Sequence, residues 1–380
     1  MKFKLNRDHF VNGLQQVSNV VPLRPTMPIL SNVLIEATGD QVSLTTTNLD
    51  LGIRCTVQAD VQTEGTLTLP VRKLLDIVRG MPSMEVEVEA LDAEHAKVTA
   101  GSSKFRMTAI GVSEFPPLPT FQNNSEFTLG QKTLSDMLKS VSYAQSTDET
   151  RHMLNGVFFN FSEGHLSVVA TDGKRLALNS EDLEIPEGQA GDFILPAKTV
   201  SELERLLGKG DNAKILFNER QVAFDIEVGD EAKEQGLSQT IHLVSKAVEG
   251  KFPNYKIVIP EDADQTVSLN RADLHENIGR AALVVTDKSE SITMTFSENQ
   301  ILFKGKSAEF GESDETMQIE YNGPEVQLTF NPKYLMHPLK VLEEDEVIFE
   351  FKNELSPGVF KNKRQFSCVV MPLRLGGGAS

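Results

Sequence analysis

Apolar residues fall at the spacing of one helix face in three similar segments of this chain. RDHFVNGLQQV (Arg7 to Val17), QKTLSDMLKSV (Gln131 to Val141) and RADLHENIGRA (Arg271 to Ala281) place Phe10, Leu14 and Val17, then Leu134, Leu138 and Val141, then Leu274, Ile278 and Ala281 at matching offsets. The i, i+4, i+7 spacing predicts a helix with one buried face in each. A β-rich stretch follows every one: LSNVLIEA from Leu30, LNGVFFNF from Leu154 and SITMTFSE from Ser291. Second helices are predicted from Pro70, Pro196 and Pro332, because a first-turn proline sacrifices only an N–H that would be unpaired anyway. Their apolar positions match as well, Leu74 and Ile77 with Val200 and Leu203 and with Met336 and Leu339. Strand alternation then resumes, as in MEVEVEALDAEHAKVTA and VIFEFKN.

The order helix, strands, helix, strands therefore recurs three times, in units of roughly 120 to 140 residues, near the usual size of a domain. PPLPTFQNNS (Pro116 to Ser125) and PEDADQ (Pro260 to Gln265) are rich in proline and polar residues and each precedes a new first helix, as linkers should. The chain of 380 residues has room for such domains, each with its own core. The expected class is α+β, three repeated domains over 1–121, 127–260 and 265–375, with a tail at 376–380.

Charge changes the picture. The formal net charge is −17, which ordinarily argues against nucleic acid. Yet the six predicted helical spans (6–20, 70–80, 130–146, 196–210, 270–284 and 332–342) hold 13 Lys and Arg against 7 Asp and Glu. They carry +6, and −23 is left for strands and loops. A fold with its helices on DNA and its strands outside would carry opposite signs on its two surfaces. Such a weak positive lining suits sequence-blind phosphate contact better than base reading.

Cys55 and Cys368 lie far apart without a spaced Cys/His cluster, which fits inert core thiols in a reducing cytoplasm and gives no zinc site. MKFKLNRDHF reaches charge at once, so no signal peptide is expected, and no run of about 18 apolar residues occurs. A soluble cytoplasmic protein is the expectation. No GxxxxGK[ST], GxGxxG after a strand, HExxH or GxSxG occurs, and no carboxylate pair is singled out by spacing. Catalysis and cofactors are not expected.

RPTMPIL (Arg24 to Leu30), LNG (Leu154 to Gly156), ATDGKRLAL (Ala170 to Leu178), GKFPNY (Gly250 to Tyr255) and VVMPLRL (Val369 to Leu375), in this order within the threefold unit, closely resemble the bacterial beta clamp, the beta subunit of DNA polymerase III. The similarity runs from Met1 to Leu375. It implies a head-to-tail homodimer of three-domain protomers, a ring whose twelve helices line a hole around duplex DNA and whose sheets lie outside. Such a ring stays on DNA without tight binding, because escape requires opening an interface. The implied partners are double-stranded DNA, the polymerase III alpha subunit, the clamp loader, and other polymerases and repair factors.

The resemblance also implies a groove for a short partner peptide, Gln-Leu followed by small or acidic and then apolar residues. Its walls would come from Leu154, Thr171, Gly173, Lys174, Arg175, Leu176, Pro253, Val258, Val369, Val370, Met371, Pro372, Leu373 and Arg374, with an apolar pocket as anchor and Arg175 orienting the peptide. Read alone, TDGKR is a hairpin turn and VVMPLRL a final strand over a core. The implied DNA contacts are Arg24, Arg72, Arg79, Lys198, Lys209 and the loop Asp148 to Met153 with Arg151. The implied dimer seam has Phe105, Leu283 and Val284 as its apolar part, with Arg72, Lys73 and Lys104 opposite Glu309, Glu312, Asp314 and Glu315.

Several positions depart from the family's pattern. Ile257 stands where a basic residue is usual, and ELSPGVF (Glu354 to Phe360) differs in length, leaving Pro357 and Gly358 as weakly assigned wall residues. His152 and Met153 replace paired aromatics. GDEAKEQGLSQT (Gly229 to Thr240) reads as a solvated acidic insertion in a hairpin, Pro338 as a kink or early end of its helix, and GGGAS (Gly376 to Ser380) as an unstructured extension or an engineered scar. The rival function of another class is a DNA-independent, repeat-built scaffold that binds only peptides.

Overall fold

The computed structural model describes residues 1–121, 125–286 and 291–373. Arg374, Leu375 and the GGGAS tail lie outside the described residues, as do 122–124 of the first linker. Seven α-helices occur among them: α1 (Arg7–Ser18), α2 (Val71–Gly80), α3 (Gln131–Ser142), α4 (Ala197–Leu206), α5 (Asp230–Glu234), α6 (Arg271–Ala281) and α7 (Pro332–Val341). The predicted face of each first helix is buried, Phe10, Leu14, Val17, Leu134, Leu138, Val141, Leu274, Ile278 and Ala281 alike. Asn6 caps α1 by accepting from the Asp8 and His9 amides. Asn270 caps α6 and Asn331 caps α7 in the same way, each satisfying a first-turn N–H that has no partner within its helix.

The second helices correct the sequence reading in detail. Leu74 and Val78 form the inner stripe of α2, and Leu335 and Leu339 that of α7, while Ile77 and Met336 are only half-buried. Pro332 is the first residue of α7, but Pro70 and Pro196 are the last residues of the preceding strands. Pro338 does not shorten α7, which has the same ten residues as α2 and α4.

The chain folds as two compact units, Met1–Asp136 with Lys198–Val248, and Met137–Ala197 with Glu249 onward. The first holds an antiparallel sheet in the spatial order Ser125–Gly130, Asn212–Phe217, Gln221–Glu227, Leu237–Lys246, Leu51–Gln58, Gln41–Thr47, Asn32–Thr38, Gly65–Pro70. Its second sheet runs Asp60–Thr63, Lys2–Asn6, Glu85–Ala90, His95–Ala100, Ser103–Thr108. The other unit holds a sheet in the order Gly191–Pro196, Gly156–Ser162, His165–Thr171, Arg175–Asp182, Phe366–Val370, Gly358–Lys361, Glu346–Phe351, Gln265–Asn270. Beside it are Gly311–Gln318, Gln300–Ser307, Ile292–Ser297 and Val326–Phe330.

Each large sheet is therefore shared between repeats. Leu243 pairs with Ile53 where the second repeat joins the first, and Leu176 pairs with Val369 where the third joins the second. Successive side chains alternate between the two faces of each sheet, so a register slip of one residue would move every side chain to the opposite face.

The acidic insertion is not simply solvated. It forms α5 with Ala232 buried, and Leu237 behind it is buried in the strand that pairs with Leu51–Gln58. Asn12 donates 3.1 Å to the Gln235 carbonyl, and Gly236, at φ +91°, lies so close to the His9 ring that a Cβ would stand 2.2 Å from it. Only glycine fits that approach.

Candidate functional site

Sheet register brings most of the implied groove together. Thr171 pairs with Leu176, Arg175 with Val370 and Leu176 with Val369, and Val369 pairs in turn with Val359. The Asp172–Lys174 turn joins two of these strands, with Gly173 at φ +85°, a left-handed conformation that favours glycine. Thr171 Oγ1 donates 2.6 Å to the Arg175 carbonyl and accepts from the Gly173 amide at 3.1 Å. The Met371 amide donates 3.0 Å to the Lys174 carbonyl, and Leu373 donates 2.7 Å to Thr329, so both residues after the last strand are fixed. TDGKR thus forms a hairpin turn, and the final strand ends at Val370 with Met371 to Leu373 following it, all of them candidate walls as well.

Around this strip, Leu176, Val369 and Val370 are buried, Met371 and Pro372 half-buried, and Leu373 38% exposed. Leu154 ends a 3-10 turn, His152–Leu154, whose preceding Arg151 donates 2.7 Å to the Asp172 carbonyl, drawing that loop to the hairpin. Pro253 and Val258 flank Tyr255 on a segment held by stacking of Phe252 on Phe158 at 4.8 Å. Ile257 points outward, 79% exposed, and Leu355 in the altered loop is 65% exposed. Pro357 is half-buried and Gly358 buried, with no room for a Cβ against Phe349.

Arg175, implied to orient the peptide, is a buried member of this set. It is 8% exposed and its guanidinium is engaged internally. Nε donates 3.1 Å to Asp172 Oδ2, Nη2 donates to the Tyr143 carbonyl at the end of α3, and Nη1 donates to Nδ1 of His337 on α7. The same group stacks 4.6 Å over Tyr334 and 5.6 Å from Tyr143. Burial, with Arg175 as the next cause, lowers the His337 imidazole to about 4, so it is neutral and can accept. Burial also raises Tyr143 well above its ordinary value and pushes Cys368 up to about 12. One cation is thus held among neutral groups, with Asp172 as its ion partner.

Sequence reasoning missed Asp172, Tyr143, Tyr334 and His337. The available signal was the i, i+3 spacing of Tyr334 and His337, which puts them on one side of α7.

Of the implied DNA contacts, Arg72 and Lys198 converge on the end of α1. Arg72 Nη2 donates 2.7 Å to the Val21 carbonyl and Lys198 Nζ 3.4 Å to that of Val20. Arg205, also missed, donates 2.6 Å to the Gln16 carbonyl and is paired with Glu202 at 2.8 Å. Cations there complement the negative end of the helix dipole. Lys209 Nζ reaches the Arg205 carbonyl at 3.2 Å, and burial, then the nearby Arg205 charge, lowers its pKa. Arg24 and Arg79 are exposed.

Several of the implied seam residues sit on edge strands, the others on α2 or in turns. Phe105 lies on the edge strand Ser103–Thr108, opposite buried Val98, yet is 42% exposed. Lys73 and Lys104 are exposed, the one on α2 and the other on that strand. Glu312, Asp314 and Glu315 lie on the edge strand Gly311–Gln318. Leu283, 79% exposed, and Val284 lie in the turn after α6, where Gly305 leaves no space for a Cβ against the Ala281 carbonyl. Within the single chain three of the acids have partners: Glu312 meets Lys306 at 2.6 Å, Asp314 meets Lys304 at 3.6 Å and Glu315 meets Arg280 at 2.8 Å. Glu309 is exposed beside Phe310, itself 63% exposed.

Among the described residues no group of three or more His, Cys, Asp or Glu could hold a metal ion, and no helix is long and apolar enough to cross a membrane.

The N-terminal, central and C-terminal domains described for the DNA polymerase III beta subunit match residues 1–119, 128–254 and 256–374. Over 375 residues the chain is 32% identical to the beta sliding clamp of Chlamydia muridarum, covering 99% of each. It is 32% identical to that of Escherichia coli (strain K12) over 382 residues, covering 99% of this chain and all of the relative. The crystal structure of the DNA polymerase III subunit beta from Pseudomonas aeruginosa superposes with a TM-score of 0.91 at 30% identity, over 99% of this chain and 100% of the other. This chain belongs to the DNA polymerase III beta subunit family. Its function is that of a DNA sliding clamp, a replication processivity factor and not an enzyme.

Proposed function

We propose that two copies close head to tail into a ring around duplex DNA, with three domains per protomer at 1–121, 127–260 and 265–375, acting in the cytoplasm. The ring is supported by two of the open sheet edges that have no partner among the described residues, Ser103–Thr108 and Gly311–Gln318. Each stands near an exposed apolar side chain, Phe105 or Leu283. An open edge offers a row of unpaired N–H and C=O groups, and two different edges on one chain give the heterologous contact that a closed ring requires. The surface ion pairs of Glu312, Asp314 and Glu315 would exchange partners with Lys73, Lys104 and Arg72 of a second copy at small net cost.

Arg24, Arg72, Arg79, Lys198 and Lys209, with Arg151, are the proposed DNA contacts. Those that end on backbone carbonyls hold a fixed field of positive charge, which attracts phosphates without reading bases. The strip of Leu176, Val369, Val370, Met371, Pro372 and Leu373, with Leu154, Thr171, Gly173, Lys174, Pro253 and Val258, is the proposed groove for a partner's apolar peptide. Arg175 shapes its wall from beneath.

Primer extension on a primed circular single strand, with clamp loader and polymerase, tests the reading. Products lengthen greatly when this protein is added. Unchanged product length with a loader active on another clamp would point to a scaffold that ignores DNA.

A further inference from the structure

The groove wall rests on an arginine that is almost wholly buried, so its shape depends on what holds that arginine. Asp172 and the Tyr143 carbonyl, two of its acceptors, lie in the wall's own turn and just past the end of α3, whereas the third, Nδ1 of His337, belongs to α7 and is 162 residues away. Tyr334, one helical turn earlier, stacks on the guanidinium's face at 4.6 Å. From α7 the arginine thus receives a stacking face and an in-plane acceptor, which together fix both its position and its rotation.

We propose that His337 is a positioning residue for partner-peptide binding. Its neutral imidazole accepts from Arg175 Nη1, and through Arg175 it sets the Thr171–Leu176 wall. Asp172 accepts from the Lys174 amide at 2.9 Å, the Arg175 amide at 3.1 Å and Arg175 Nε, so a shift of the guanidinium moves the whole turn. The Lys174 carbonyl at that turn in turn holds the Met371 amide. A chain of hydrogen bonds therefore runs from α7 to both sides of the proposed groove. This inference rests on the groove reading above.

Only the acceptor at Nδ1 matters here, which gives a test that plain loss of packing would not pass. In His337→Asn the amide oxygen takes the place of Nδ1, and Asn matches His in helix propensity. His337→Leu keeps the bulk and removes the acceptor. Fluorescence anisotropy with a labelled Gln-Leu-Ser-Leu-Phe peptide is measured on the full-length protein, with Met371→Ala as the groove control. The expected result is a Kd about tenfold weaker for His337→Leu, the equivalent of one missing charge-assisted hydrogen bond, and within about threefold of wild type for His337→Asn. Equal weakening in both variants, or wild-type binding in both, overturns the proposal while the groove stands if Met371→Ala loses affinity. Wild-type binding by Met371→Ala sinks the groove reading itself. If His337→Leu does not fold, His337→Ala supplies the same contrast with His337→Asn.

Discussion

Arg72 Nη2 lies 2.7 Å from the Val21 carbonyl oxygen, so a side chain of α2 completes hydrogen bonding just beyond the end of α1. Lys198 reaches the adjacent carbonyl, that of Val20, from α4. Their charges are held in place before DNA arrives, and long flexible side chains lose little further freedom on contact. Substituting both with Ala should flatten the dependence of log K on log salt for short duplex DNA, by about 0.9 for each phosphate no longer neutralised. Equilibrium binding measured across a salt series checks this. An unchanged slope would remove both residues from the DNA face.

Of the apolar residues named for the groove, Leu176 and Met371 are not equivalent tests. Leu176 is 2% exposed, and its truncation to Ala would cost about 2 to 5 kcal/mol of stability, mixing folding with binding. Met371 is only half-buried. Met371→Ala should weaken the peptide Kd by about tenfold and leave the melting temperature close to that of wild type. Calorimetry on both proteins separates the two effects; normal peptide affinity would contradict the assignment.

Leu283 is 79% exposed in the single chain, so replacing it costs the protomer little. Leu283→Asp places an unpaired charge where the second copy is expected to pack. Sedimentation should then show monomers at concentrations where wild type is dimeric, with unchanged circular dichroism. A persistent dimer would place the seam elsewhere.

His337 also predicts a pH effect on stability. The ordinary imidazole titrates near 6.5, and in the folded chain burial lowers this to about 4. Between those values the unfolded chain binds a proton that the folded chain does not, so stability rises with pH through this window and is complete above it. Urea unfolding between pH 5.5 and 8 should show stability falling below about 6.5, and falling less steeply for His337→Asn. Parallel profiles for the two proteins would show that this imidazole is not held neutral by the fold.

The first helices were legible because three copies of one i, i+4, i+7 pattern fix both the element and its buried face. The second helices were less so. Matching positions by distance from a proline put Ile77 and Met336 inside, but the helical phase is set by where the first turn starts, and that differs between Pro70 and Pro332. Alternation announced the strands without their partners, since period two specifies a face and not a neighbour. Thus the joining of Leu243 to Ile53 and of Leu176 to Val369 could not be read in advance.

At the groove the family-like strings pointed to the wall residues, but not to the burial of Arg175. An arginine beside Asp-Gly looks like an exposed ligand until Tyr143, Tyr334 and His337 surround it, and those residues are distant in sequence. The docking of Gly236 on His9 was hidden for a similar reason, because an acidic segment carries no local sign that one glycine within it touches a helix.

A closed ring is held on DNA by topology, so its retention depends on whether the DNA has ends. The protein is loaded by a clamp loader onto nicked circular DNA, free protein is removed by gel filtration, and half of the sample is linearised. A ring is expected to remain with the circles and to be lost from the linear molecules by sliding off their ends. Equal retention on both forms would rule out a ring, because binding that ignores the ends of DNA does not come from one.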